Sequence, residues 1–149
     1  MNVTEAQRIT AEAWAHKTLE AADTLDTNLY ASRFASDANL KFGNDPTLEG
    51  REAFKAWHGA QTHGLKLIVS LIFRLLTIDV LPNKTIITTR VHYKFKEVDE
   101  EVVVPVMGFW LKSPEEAEAR GMEAYGDFGQ VKVKAFESME KLGLLPPRQ

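Results

Sequence analysis

The sequence predicts an α+β fold: a curved antiparallel sheet wrapped around helices, with a conical pocket between the two layers. Three observations predict it. Apolar residues recur mainly at helical spacing up to Thr62, the period changes to two from Leu65, and one helical stripe closes the chain after Asp127. Helices gathered ahead of a run of antiparallel strands pack on one face of the sheet. Where they cross the concave side of a strongly curved sheet, a cavity remains.

Each element has a local reason. Thr4 and Gln7 form a capping-box pattern, so a long helix runs from there to about Ala22, with Ile9, Ala13, His16 and Leu19 at helical spacing. Asp26 caps a shorter helix through Phe34, with Leu29, Tyr30 and Phe34 facing inward. Ala38 to Phe42 alternates like a strand and stops at Gly43-Asn44-Asp45-Pro46, a turn by composition. A third helix, about Arg51 to Thr62, buries Phe54 and Trp57 with His58 and Gln61 beside them, and Gly64 is placed to end it. Strands then cover Leu67–Val80, Thr85–Lys96, Val102–Lys112 and Glu118–Asp127, separated by Pro82-Asn83, Val98-Asp99-Glu100 and Ser113-Pro114-Glu115. The first of these is apolar on both faces, which predicts a central, bent strand. Gly108 marks a bulge or a close backbone approach. The last helix puts Phe128, Val131, Ala135, Met139 and Leu142 on one stripe. One domain over residues 1–149 is the default at this length.

Composition excludes several function classes. A formal charge of −3 gives no electrostatic case for nucleic acid. The absence of cysteine rules out disulfides, thiol nucleophiles and cysteine-based metal sites. His58 and His63 are five apart and point to different helix faces, so no metal is expected. The N-terminus carries no apolar signal core, and Lys66, Ser70, Arg74 and Asp79 interrupt the longest apolar run, so no membrane span is expected. The expected setting is soluble and cytoplasmic. Neither a phosphate-cradling glycine loop nor a nucleophile elbow is present.

Arg90, His92 and Lys94 share one face of their strand, and Val91, Tyr93 and Phe95 the other. By alternation alone the polar face meets solvent and the apolar face the core. Asp127 can cap the final helix by accepting a backbone N–H from Gly129 or Gln130. Trp57, Trp110, Met107, Phe109 and Tyr30 pack a core or line a pocket, and Glu97 to Glu101 reads as a solvated hairpin tip.

Three segments carry a family resemblance. Tyr30 to Asn44, with Phe34-Ala-Ser-Asp-Ala38 inside it, is similar to a helix-to-strand segment of the SnoaL-like branch of the NTF2-like cone folds. Gly50-Arg-Glu-Ala-Phe54 resembles the opening of that family's third helix, and Tyr125-Gly-Asp-Phe128 the end of its last strand. The branch includes polyketide cyclases, limonene epoxide hydrolase, ketosteroid isomerase and scytalone dehydratase. The resemblance spans Leu25 to Leu142 and implies the cone, a cystatin-like α+β barrel around a pocket. It implies a scaffold more than a reaction, because one such fold hosts many chemistries.

Limonene epoxide hydrolase has an Arg-x-Asp pair on a middle strand, an Asp ending the last strand and a Tyr-x-Asn before its third helix. Arg90, Asp127 and Asn44 match, while His92 stands where that enzyme has Asp and Phe42 where it has Tyr. These departures remove a phenol that helps position water and change the type of proton donor; Tyr30 or Tyr125 would have to supply the phenol. The ketosteroid isomerase carboxylates align near Phe42 or Gly43 and near Pro105, where no acid stands. His92 is closer in style to scytalone dehydratase, which uses histidines and a pocket Asp.

The resemblance thus implies that the Arg90 and His92 face lines the cavity. It implies a cofactor-independent acid–base enzyme of lyase or isomerase type, in secondary metabolism, acting by cyclisation, isomerisation or dehydration. The substrate would be a small apolar oxygenated metabolite such as a polyketide or terpenoid. Asp127 would be the base or orient water, His92 its acid–base partner and Arg90 the group that holds both in place. Asn44 would bond substrate or water, and Phe42, His58, Trp57, Met107, Trp110 and Tyr30 would line the substrate site. A non-catalytic ligand-binding or association module on the same fold is the alternative. A homodimer is implied as well, with Val91, Tyr93 and Phe95 as candidate interface.

Overall fold

In the computed structural model, residues 2–61 and 67–145 are described, so the helix stop expected at Gly64 and the His63 side chain lie outside them. Thr4 opens α1 (Glu5–Asp23) as the capping box predicts: its hydroxyl accepts the Gln7 N–H at 3.1 Å, and the Gln7 amide oxygen accepts the Thr4 N–H at 2.9 Å. The buried stripe is Ala11, Trp14, Ala15, Thr18, Leu19 and Ala22, while Ile9, Ala13 and His16 face solvent. Leu19 belongs to the stripe as expected, while the rest of it follows the i, i+3, i+4 rule from Ala11 and not from Ile9.

Asp26 caps α2 (Thr27–Ala31) by accepting the Leu29 N–H at 3.1 Å. This helix is shorter than expected. Phe34 already opens β1 (Phe34–Phe42), which turns through Gly43 to Pro46 into a two-residue β2 (Leu48–Glu49). Gly50 follows at φ +93°, where an added Cβ would sit 3.3 Å from the Ser36 carbonyl oxygen. Only glycine fits that turn without strain, and it aims α3 (Arg51–Gly59) across β1. Arg51 then donates to the Phe34 carbonyl at 3.1 Å and pairs with Glu118 at 3.2 Å. These contacts explain the Gly50-Arg51 motif structurally.

The remaining elements are β3 (Ile68–Val80), β4 (Lys84–Phe95), β5 (Val102–Leu111), β6 (Ala119–Gly126) and α4 (Gly129–Lys141). They build one curved, unclosed six-stranded sheet in the order β2-β1-β6-β5-β4-β3. Every pairing is antiparallel except β1 with β6, which run parallel, the chain returning beside β1 only after four other strands. The strand expected at the centre, β3, is instead an edge. Only its inward apolar residues, such as Leu71 and Phe73, are covered, and the end of α1 lies along it: Asp23 accepts the Phe73 N–H at 2.8 Å, satisfying a donor of the open edge. Register shifts between Ile68 and Ser70 and between Leu75 and Thr77 bend the β3–β4 pair.

On β4, Thr85, Ile87, Thr89, Val91 and Phe95 point into the concave side and are buried, whereas Arg90 and Lys94 are exposed. Trp14, Tyr30, Phe34, Leu40, Phe54, Trp110 and Met122 pack between helices and sheet. The final helix lies over the β4–β5 hairpin, with Val131, Ala135, Met139 and Leu142 against Leu67, Phe95 and Val98. Ser138 donates to the Lys96 carbonyl at 2.5 Å, and Lys134 pairs with Glu100 at 2.8 Å. Among the described residues no helix is long and apolar enough to cross a membrane.

Candidate functional site

Between the concave sheet face and the first three helices lies a cavity of about 110 Å³, several times the roughly 10–15 Å³ that one water requires. Alternation builds its sheet wall: Leu71 and Phe73 on β3, Ile87, Thr89, Val91 and Tyr93 on β4, Val106, Gly108 and Trp110 on β5, Met122 and Ala124 on β6. Leu19, Tyr30, Trp57, His58 and Gln61 supply the helical wall, and Phe42 and Phe128 also line it. Gly108 belongs there because a Cβ would come within 3.0 Å of the Glu123 carbonyl oxygen. Its pairing with Ile87 is unbroken, so the close approach and not the bulge is realised.

Among the described lining residues polar groups are few. His58 is buried, and its Nδ1 lies 2.7 Å from Thr27 Oγ1, which fixes the ring orientation. Its ring meets Tyr30 edge-on with centroids 5.6 Å apart. Trp57 stacks on Phe42 at 4.6 Å, so both rings hold one wall. Thr89 spends its hydroxyl on the Val106 carbonyl at 3.1 Å. Burial pushes the Tyr93 phenol up to about 12. Burial also pushes the Tyr30 phenol well above its ordinary value, with Tyr93 and Asp23 adding to the shift. Both therefore stay protonated at neutral pH. Next to this wall, burial raises the Asp23 carboxyl above its usual range, against the Phe73 N–H that lowers it.

The three residues expected to carry catalysis are not brought together in the cavity. Arg90 stands exposed on the convex face, opposite Arg74 across the strand pair. Like charges directly opposed are destabilising unless water screens them, which is the physical reason this face is turned outward. His92 shares that face and pairs through Nδ1 with Glu101. Asp127 is exposed and accepts the Gly129 N–H at 3.0 Å, the capping bond that was its alternative role. Asn44 is exposed in its turn, and Met107 is 52% exposed on the convex face. Phe42, Trp57, His58, Trp110 and Tyr30 do line the cavity. Val91, Tyr93 and Phe95 face inward, so they cannot form the outer interface expected of them.

Thr89 is a cavity residue that the sequence reading passed over, and Tyr93 is one that it assigned to an interface. The signal was present: both lie in phase with Val91 on the apolar period of β4. Among the described residues no three His, Asp or Glu side chains gather as a metal site.

A family model described as a SnoaL-like domain matches residues 11–112. No curated protein compared with the chain matches it in sequence. Among solved structures, PrhC from Penicillium brasilianum NBRC 6234 matches with a TM-score of 0.75 at 11% identity, covering 93% of both chains. A protein from Jannaschia sp. CCS1 described as a SnoaL-like polyketide cyclase reaches 0.72 at 11% identity over 99% of both chains. An epoxide hydrolase from M. tuberculosis, described as LEH-like, reaches 0.67 at 10% identity, over 91% of this chain and 96% of that one. At such identities the likeness is one of fold, and it agrees with the curved, unclosed sheet and its helices. Since the family model runs from within α1 to just past β5, the chain belongs to the SnoaL-like domain family, on the NTF2-like cone fold.

Proposed function

We propose that this protein binds a small apolar oxygenated metabolite in the cavity and acts on it by acid–base chemistry, with His58 as the proton-transfer group. One observation carries the reading. Among the described lining residues, His58 is the side chain of a type that exchanges protons near neutral pH, set in a largely apolar wall and oriented by Thr27. The imidazole would take a proton from a carbon next to a carbonyl and return it at another position, the common step of isomerisation, cyclisation and dehydration. Arg90, His92 and Asp127 are left outside this mechanism, because none of them lines the cavity.

The test is deuterium incorporation from D₂O into 2-tetralone, an apolar bicyclic ketone, followed by NMR. Wild-type protein is expected to accelerate exchange next to the carbonyl. His58→Asn, which keeps a polar group near Thr27, should slow it by about 10²–10⁴-fold. Equal exchange in the two proteins removes His58 from the chemistry. Binding of the ketone without any exchange supports the non-catalytic module instead. A diol assay with styrene oxide is expected to be blank, since Arg90 and Asp127, the groups that reaction would use by resemblance, face solvent.

A further inference from the structure

Two hydrogen-bond donors on neighbours of Met122 are left nearly unused among the described residues. The Tyr30 hydroxyl is buried, and its bond is to the Met122 sulfur at 4.0 Å, a weak acceptor. Trp110 stands directly opposite Met122 across the β5–β6 pair and is 2% exposed. Its indole N–H has no acceptor among the described residues. Buried donors are nearly always bonded, and the neighbouring indole shows the ordinary solution. Trp14, whose ring meets Trp110 edge-on at 5.1 Å, donates to the Ala117 carbonyl at 2.7 Å. Thr89, another hydroxyl of the same wall, is likewise satisfied within the protein.

We propose that the Met122 end of the cavity is a subsite for one neutral oxygen acceptor, such as a ketone, ester or lactone carbonyl, held by the Tyr30 hydroxyl and the Trp110 indole N–H. The assignment rests on the reading of the cavity as a ligand site and narrows it to a carbonyl-bearing apolar molecule. The acceptor is taken as neutral because, among the described lining residues, there is no Lys or Arg, and a buried anion without a partner is strongly disfavoured. Tyr30 can serve as a donor throughout the neutral range, since burial keeps its phenol protonated. The remaining surface around Met122 and Ile87 is apolar and fits the hydrocarbon body of such a ligand.

Three probes of one skeleton test this by calorimetry: 2-tetralone, tetralin, which lacks the oxygen, and 1,2,3,4-tetrahydro-2-naphthoate, which carries an anion. The ketone is expected to bind about tenfold more tightly than tetralin, the margin that one to two net hydrogen bonds give. It should also shift one indole ¹⁵N–¹H signal downfield, the one missing from Trp110→Phe. Tyr30→Phe should cut the ketone-to-tetralin ratio to about threefold. The indole shift is read in otherwise native protein, so it decides the matter even if a variant folds poorly. Equal binding of ketone and tetralin overturns the subsite alone, as does a ratio unchanged in Tyr30→Phe or tightest binding by the naphthoate. Failure of both neutral probes to bind overturns the subsite together with the cavity reading. A preserved ketone preference without proton exchange upholds the subsite and rejects only the catalytic role of His58.

Discussion

At Tyr93 the folded protein holds a phenol with a pKa of about 12, against 10.0 in the absence of burial. The Tyr30 phenol is shifted in the same direction. Between those values the unfolded chain releases protons that the folded chain keeps. The contribution is therefore intact below pH 10 and is lost as pH rises through the folded values. The urea midpoint should fall between pH 10 and about 12, and more gently in Tyr93→Phe. Parallel slopes in both proteins would contradict the burial of that phenol. Asp23 carries a related sign. Its raised pKa means that the ionised form opposes folding, so stability is fullest below the unfolded value and declines as pH climbs. Asp23→Asn keeps an acceptor for the Phe73 N–H without the charge and should raise the urea midpoint at pH 7, whereas Asp23→Ala strands that N–H and should cost about 1 kcal/mol. Arg90→Ala and His92→Ala should each leave 2-tetralone affinity within about twofold, since both side chains lie on the convex face. A loss of tenfold or more in either would mean that the strand presents its other face to the ligand.

Among the elements, β4 decides what the protein can do. Its alternation was legible from Thr85 to Phe95, and taken alone it put Arg90 and His92 in water and Val91 and Tyr93 inside, as in the structure. The family likeness pointed to the opposite face. A one-residue shift of register between distant relatives exchanges the two faces of a strand, so a motif carried over by spacing is fragile there. Capping chemistry was more dependable: Thr4 and Asp26 each bond the backbone that the pattern assigns them. Lys112 shows the limit of such reading. It looks like a strand end in water, yet it is fully buried, donates to the Ser113 and Pro114 carbonyls at 2.8 and 3.2 Å, and lies 4.8 Å over Trp14. Gly50 offers an element-scale test. At φ +93° an added methyl meets the Ser36 carbonyl, so Gly50→Ala should lower stability by about 1 kcal/mol or more in a urea titration. A wild-type midpoint in that variant would show that the turn before α3 can relax.

For the whole molecule, the convex sheet face is the surface left uncovered by the helices. Ile72, Leu76, Val103, Met107 and Leu111 are exposed on it, a grouping of apolar side chains that favours association. The homodimer implied by resemblance is therefore expected through these residues. Sedimentation should show dimers at about 10 µM, a concentration that a standard-sized interface readily supports. Val103→Lys with Met107→Lys should shift the protein to monomers while tetralin still binds. A wild-type monomer at that concentration would contradict the expectation.

The sequence by itself determined most of the elements, the caps at Thr4 and Asp26 and the apolar phase of β4, because these depend on residues a few positions apart. Tertiary structure alone decided three things: the parallel seating of β6 beside β1, the edge position of β3, and the meeting of Tyr30, His58, Tyr93, Trp110 and Met122 around one cavity. Those residues come from five separate elements. Their proximity depends on how a curved sheet closes over its helices, a long-range balance of packing that no local spacing encodes.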